Sequence, residues 1–241
     1  MNWWPLRLAI GFASALCMTA CGPSPNDPAV KSGSLNNGGF LFQCEDGVDC
    51  HFWSAGDAEK FPRDGVALGS TFRIRYRRNE DLNVTIFDVR EDSAGITVRG
   101  NPPFFTGAPD NRIAAISREG WGTIVAQTAA GGTADFVSLR VVKPDAVVVL
   151  DADDSLVRAP AKLTSVTLGA GAVKNLRIAA EAASRPLAGS LPARWTVTPD
   201  NVARIESVSD GVAKLVAVEA GKATLAVDAG GFNPQLEVTV E

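Results

Sequence analysis

The sequence predicts an all-β protein of two tandem β-sandwiches, preceded by an export signal and a flexible tether. Three observations predict it. Short runs of alternating apolar and polar residues recur along the chain, as in Thr71–Arg78 and Lys222–Asp228, and a period of two marks a strand with one buried face. Turn residues punctuate these runs, with 23 Gly and 14 Pro in 241 residues, a spacing that suits a sandwich better than a helical bundle. Finally, Val212–Gly231 (VAKLVAVEAGKATLAVDAGG) has a near copy about 100 residues earlier, Ile113–Gly132 (IAAISREGWGTIVAQTAAGG), which is one sandwich per repeat. Each copy reads as two antiparallel strands joined by a tight glycine turn, the recurring corner of a duplicated sandwich. Gly120 matches Gly221, and Thr123 matches Thr224. A hydrophobic fraction of 46% supplies enough apolar side chain for buried cores.

Residues 1–20 carry one basic residue, Arg7, ahead of a short apolar run, Leu8–Leu16. That run is too short to cross a bilayer, which takes about 20 residues, and has the make-up of a secretory signal. It ends in Met18-Thr19-Ala20-Cys21, which resembles the bacterial lipobox, with methionine where leucine is usual. The resemblance implies cleavage before Cys21, diacylglyceryl transfer to its thiol and anchoring in a membrane by lipid. Gly22 rather than Asp follows the cysteine, and by the same resemblance this favours the outer membrane of a bacterial envelope. Several acyl chains, each methylene contributing about 0.8 kcal/mol, anchor durably without a spanning helix. Residues 21–39 are rich in Pro, Gly, Ser and Asn without apolar periodicity and read as a flexible tether.

The folded body then begins, with a first domain over 40–144 and a second over 145–241. Phe40–Cys44 reads as a strand, and Cys44 and Cys50 bound a five-residue loop. In an exported protein two such cysteines are expected to pair as a disulfide. A metal site using Cys44, Cys50 and His51 with Asp46 or Asp49 is the alternative, although the spacing matches no standard zinc pattern. His51 is the single histidine of the chain, which leaves no Ser–His or multi-histidine chemistry elsewhere. Further strands are read at Thr71–Arg78, Leu82–Val89, Ile96–Val98, Ile113–Ser117, Thr123–Thr128 and Phe136–Val142, with a turn over Gly107–Asn111. Trp121 lies between Gly120 and Gly122 and reads as a hairpin-turn residue. It either folds back to plug the end of the sandwich, the preferred reading, or stands exposed as a contact for sugar or protein.

The second domain opens after a hinge at Lys143-Pro144-Asp145 with a strand at Ala146–Leu150. Asp151, Asp153 and Asp154 form a solvated turn or, in the sharper reading, part of a Ca²⁺ loop that lacks its closing ligand. Strands follow at Leu163–Leu168, Lys174–Ala180, Ala193–Thr198, Val202–Ile205, Val212–Val218, Lys222–Asp228 and Gln235–Val240, with a loop at Pro186–Gly189. Trp195 alternates with Val197 and is expected to face the core. Residues 163–241 resemble the group 2 bacterial immunoglobulin-like domains. The resemblance rests on Leu168-Gly169-Ala170-Gly171, Trp195, Pro199-Asp200-Asn201-Val202-Ala203, Ala220–Leu225 and the terminal Leu236, Val238, Val240. It implies an immunoglobulin-like sandwich and a role as a spacer or adhesive module of an exported protein.

Charge narrows the function. With 23 basic and 27 acidic residues, the chain has no basic block for nucleic acid. Arg73, Arg75 and Arg77 alternate onto one strand face, either simply solvated or a small patch for an anionic glycan or lipid headgroup. No nucleophile–base pair, carboxylate pair or phosphate-cradling loop is present, and Gly120–Gly122 precedes no helix. The expectation is a non-enzymatic lipoprotein of the cell envelope without cofactor or metal, acting in binding, adhesion or structure through an unknown protein or glycan partner. The alternatives are an accessory subunit of an envelope complex and a metal sensor built on the Cys44–His51 loop.

Overall fold

The computed structural model describes residues 29–43, 62, 64–78, 93–108, 112–153, 161–209 and 211–241, which are all strand, turn and loop. They form two immunoglobulin-like β-sandwiches of the same design. The first contains β1 (Ala29–Ser32), β2 (Gly38–Gln43), β3 (Val66–Ala67), β4 (Thr71–Arg78), β5 (Ile96–Gly100), β6 (Phe105–Ala108), β7 (Arg112–Ala115), β8 (Gly120–Thr128) and β9 (Thr133–Val142). One sheet runs β1-β2-β4-β7-β6 and faces a second, β3-β9-β8-β5. The second sandwich contains β10 (Ala146–Asp151), β11 (Ser165–Leu168), β12 (Val173–Ala182), β13 (Arg185–Pro186), β14 (Ala193–Thr198), β15 (Ala203–Ser209), β16 (Val212–Ala217), β17 (Gly221–Ala229) and β18 (Gln235–Val240). Its sheets run β10-β12-β16-β15 and β11-β18-β17-β14. The two orders superpose strand for strand from β2 and β10 onward. Even the single parallel pair recurs, β3 with β9 and β11 with β18.

Alternation settles which side of each strand is buried. Along β4, Phe72, Ile74 and Tyr76 are buried while Arg73, Arg75 and Arg77 are half-exposed. The first core gathers Phe40, Phe42, Phe72, Tyr76, Phe105 and Ile124, with Phe72 edge-on to Phe105 at 5.8 Å between ring centres. The second is built on Trp195, Leu176, Leu215, Leu225 and Leu236. Each such side chain contributes about 1.5–3 kcal/mol on burial.

Alternation does not settle the neighbour, and two expectations are corrected here. The copies Ile113–Gly132 and Val212–Gly231 are not hairpins. β7 pairs with β4 and β6, whereas β8 pairs with β5 and β9; β16 pairs with β12 and β15, whereas β17 pairs with β14 and β18. Each copy therefore crosses from one sheet to the other. The glycine of each corner carries a positive φ, +133° at Gly120 and +154° at Gly221, which an L side chain rarely adopts. Trp121 is accordingly a strand residue of β8 and not a turn residue.

Part of the stretch expected to be tether is strand. Residues 29–39 lie within the stretch read as tether, yet Ala29–Ser32 pairs with Gly39–Phe42. The reason lies about 100 residues downstream. Asp135 is wholly buried, and its carboxylate accepts the Leu35 N–H at 2.8 Å and the Asn37 N–H at 2.9 Å. A composition of turn residues cannot announce a partner so distant in sequence.

The expected hinge at Lys143–Asp145 is tied on both sides. Lys143 N donates to Glu119 Oε1, Asp145 N donates to Glu181 O, and Asp145 Oδ2 accepts the Ala183 N–H. The loop at Pro186–Gly189 does more than connect. Ala67 N donates to Ala188 O, Ala188 N to Gly65 O, and Thr71 and Ser190 exchange both amide–carbonyl bonds at 2.8–3.0 Å. Leu187 packs with Ala67, Ala180 and Val142 in a small separate cluster between the sandwiches. A segment of the second sandwich is thus bonded to the edge of the first.

Candidate binding site

Trp121 sits at the start of β8, and its surroundings explain why it faces outward. Gly122 beside it is buried, and a Cβ there would lie 2.4 Å from the Phe105 ring and 2.6 Å from Phe104 Cβ. The Phe104-Phe105 pair fills the space under the strand, so the next residue must point away from it. Trp121 is 63% exposed and does not plug the sandwich, which corrects that reading. Its cross-strand neighbour is Arg140, also exposed. On the loop leading into β8, Ile116 is 51% exposed, and the Arg118 guanidinium stands 4.9 Å from the centre of the Phe104 ring. The result is an indole and an isoleucine displayed at one end of the first sandwich among arginines.

The other expected site residues fall as follows. Cys21, Cys44, Cys50 and His51 lie outside the described residues. Asp154 does also, but Asp151 and Asp153 are placed, and their carboxylates are occupied. Lys174 Nζ is 2.6 Å from Asp151 and 3.4 Å from Asp153. Asn175 donates its backbone and side-chain N–H groups to Asp153. Burial pushes the Asp153 carboxyl up, but these hydrogen bonds and the lysine charge outweigh it and hold it below its ordinary value. Among the described residues no group of His, Cys, Asp or Glu is placed to hold a metal ion.

The basic strand face was legible, but its setting was not. Arg75 lines a cavity of about 590 Å³ together with Arg99 of β5 and Arg112 of β7. The sequence reading singled out neither Arg99 nor Arg112. β5 aligns with β14 through their shared neighbours, Val98 opposite Ala126 and Trp195 opposite Val227; Ala126 and Val227 each lie six residues beyond the corner glycines Gly120 and Gly221. Val98 therefore occupies the place of the core tryptophan, and the volume is left open.

No family model matches this sequence, and no curated protein matches it. Solved structures with some likeness include the S-layer protein SbsC, at 15% identity and TM-score 0.31, covering 71% of this chain. They also include the Escherichia coli adhesin FdeC, at 19% identity and TM-score 0.29 over 73% of the chain. A third is the Yersinia pseudotuberculosis adhesin InvE, at 12% identity and TM-score 0.32 over 73%. The chain spans 23%, 60% and 56% of those three structures. At these scores the likeness carries no argument about what this chain binds, and the fold rests on its own strand order.

Proposed function

We propose that this protein is a non-enzymatic binding module of the bacterial cell envelope, held to a membrane by lipid on Cys21 and engaging a partner protein through the Trp121 end of its first sandwich. The observation that carries the reading is the outward Trp121 with the exposed Arg140 as its cross-strand neighbour. Tryptophan and arginine are among the residues that dominate protein–protein binding energy, and an exposed indole beside an arginine is a composition that fits such a contact. The group 2 bacterial immunoglobulin-like resemblance of residues 163–241 makes the second sandwich a further structural or adhesive module, following the first in the chain. The outer membrane is the expected location, from Gly22 after the cysteine.

Affinity capture of the lipidated protein from envelope extracts tests this. Wild type should retain a defined partner that Trp121→Ala loses, with thermal stability unchanged. Identical capture by both proteins would remove Trp121 from the contact, and retention of a glycan instead of a protein would change the partner class. Labelling with a fatty-acid analogue should mark wild type and leave Cys21→Ala unmarked.

A further inference from the structure

The cavity at Arg75, Arg99 and Arg112 is distinct from the Trp121 surface. It is lined from β4, β6 and β7 of one sheet and from β5, the edge strand of the facing sheet. On β5, Val98 stands where the second sandwich has Trp195.

The lining divides by chemistry. Ile74, Ile96, Val98 and Ile113 give an apolar floor. Arg75 on β4 and Arg112 on β7 stand on the solvent face of the sheet, because their neighbours Ile74 and Ile113 are the buried ones. Arg99 joins them from β5 and is exposed. The described lining contains three arginines and no carboxylate. Arg75 and Arg112 also interact within the chain, and a guanidinium carries five N–H donors in all. About 590 Å³ lies within the range of small-molecule sites, which combine an apolar body with a few placed polar groups.

We propose that this cavity binds a small organic anion, its sulfonate, phosphate or carboxylate held by the three arginines and its uncharged body resting on the isoleucine floor. The proposal stands independently of the Trp121 contact, since neither shares a residue with the other.

A matched pair of fluorescent probes tests it on the full mature chain. 8-Anilinonaphthalene-1-sulfonate carries the anion, and N-phenyl-1-naphthylamine has the same rings without it. The anionic probe should bind one per chain and at least about tenfold tighter, since a charge-assisted hydrogen bond contributes roughly that factor. The double variant Arg99→Gln/Arg112→Gln should lose that advantage and leave the neutral probe unaffected. Val98→Trp, which copies the second sandwich, should abolish binding of both. Val98→Phe serves the same purpose if the tryptophan variant does not fold, with the melting temperature as the check. Equal affinity for the two probes, or full anionic-probe binding by a folded filled variant, would overturn the proposal. So would displacement by sodium sulfate at the probe's own dissociation constant, which would make the site one for a free ion.

Discussion

Replacing Leu187 by alanine should uncouple the two sandwiches. Leu187 is 1% exposed and sits in the small cluster with Ala67, Ala180 and Val142. Its neighbours are mostly alanines, already short, so they have little side chain with which to fill the hole. Truncating a buried leucine costs about 2–5 kcal/mol, with the larger values where the surroundings cannot collapse. Among the described residues, the other links are Ala188 in the first core, Ala182 and Leu191 beside this cluster, edge hydrogen bonds and the exposed Arg185–Asp64 pair at 2.9 Å; the alanines are small, and an exposed ion pair contributes at most about 1 kcal/mol. In a chain of this size each kcal/mol moves the melting midpoint by about 2–4 °C. Differential scanning calorimetry of the mature chain should therefore show one cooperative transition for wild type. Leu187→Ala should show two, the earlier of them about 5–15 °C below the wild-type midpoint. A variant trace that overlies wild type within a degree would refute the view that this cluster joins the domains.

Other consequences follow from the same structure. Asp135→Ala should destabilise the first sandwich by about 2–4 kcal/mol, since at least two backbone amides lose a buried, charged acceptor, and proteolysis should then cut within residues 29–39. Tyr76 is the single tyrosine, and burial, then the charge of Asp135, raises its pKa above the ordinary value. Absorbance at 295 nm should thus show one group titrating above pH 10 in the native chain and near 10 in denaturant. Because the unfolded chain loses this proton first, the contribution is complete below pH 10 and declines as pH rises beyond it. A native midpoint equal to that in denaturant would contradict the burial of its hydroxyl. Gly122→Ala should cost about 1–3 kcal/mol by collision with Phe105. Gly107→Ala, where a Cβ meets nothing within 4 Å, should stay within about 0.5 kcal/mol of wild type in a denaturant titration.

How much of this was readable beforehand follows from what each pattern encodes. The alternation of Phe72, Ile74 and Tyr76 fixes a buried face, and that survives into the fold unchanged. It carries no information on which strand lies alongside, so β16 and β17 looked like partners when they occupy opposite sheets. Asp135 and the amides of Leu35 and Asn37 are joined by tertiary structure alone, and composition therefore placed residues 29–39 in the tether. At Trp121 the flanking glycines looked like a turn, whereas Gly122 is small because of Phe105 beneath it. The cavity was hidden for a different reason. Its cause is a residue that is smaller than its counterpart, Val98 against Trp195, and only the strand register brings those two into correspondence.

The parallel pairs β3–β9 and β11–β18 have a mechanical consequence. In the second sandwich, Ser165 pairs with Glu237 and Leu168 with Val240. A load pulling Ser165 and Val240 apart acts along the strands, so the bridging hydrogen bonds must yield together instead of unzipping singly. A load applied between the two ends of a sandwich would pass through such a pair, in the direction in which it resists extension best.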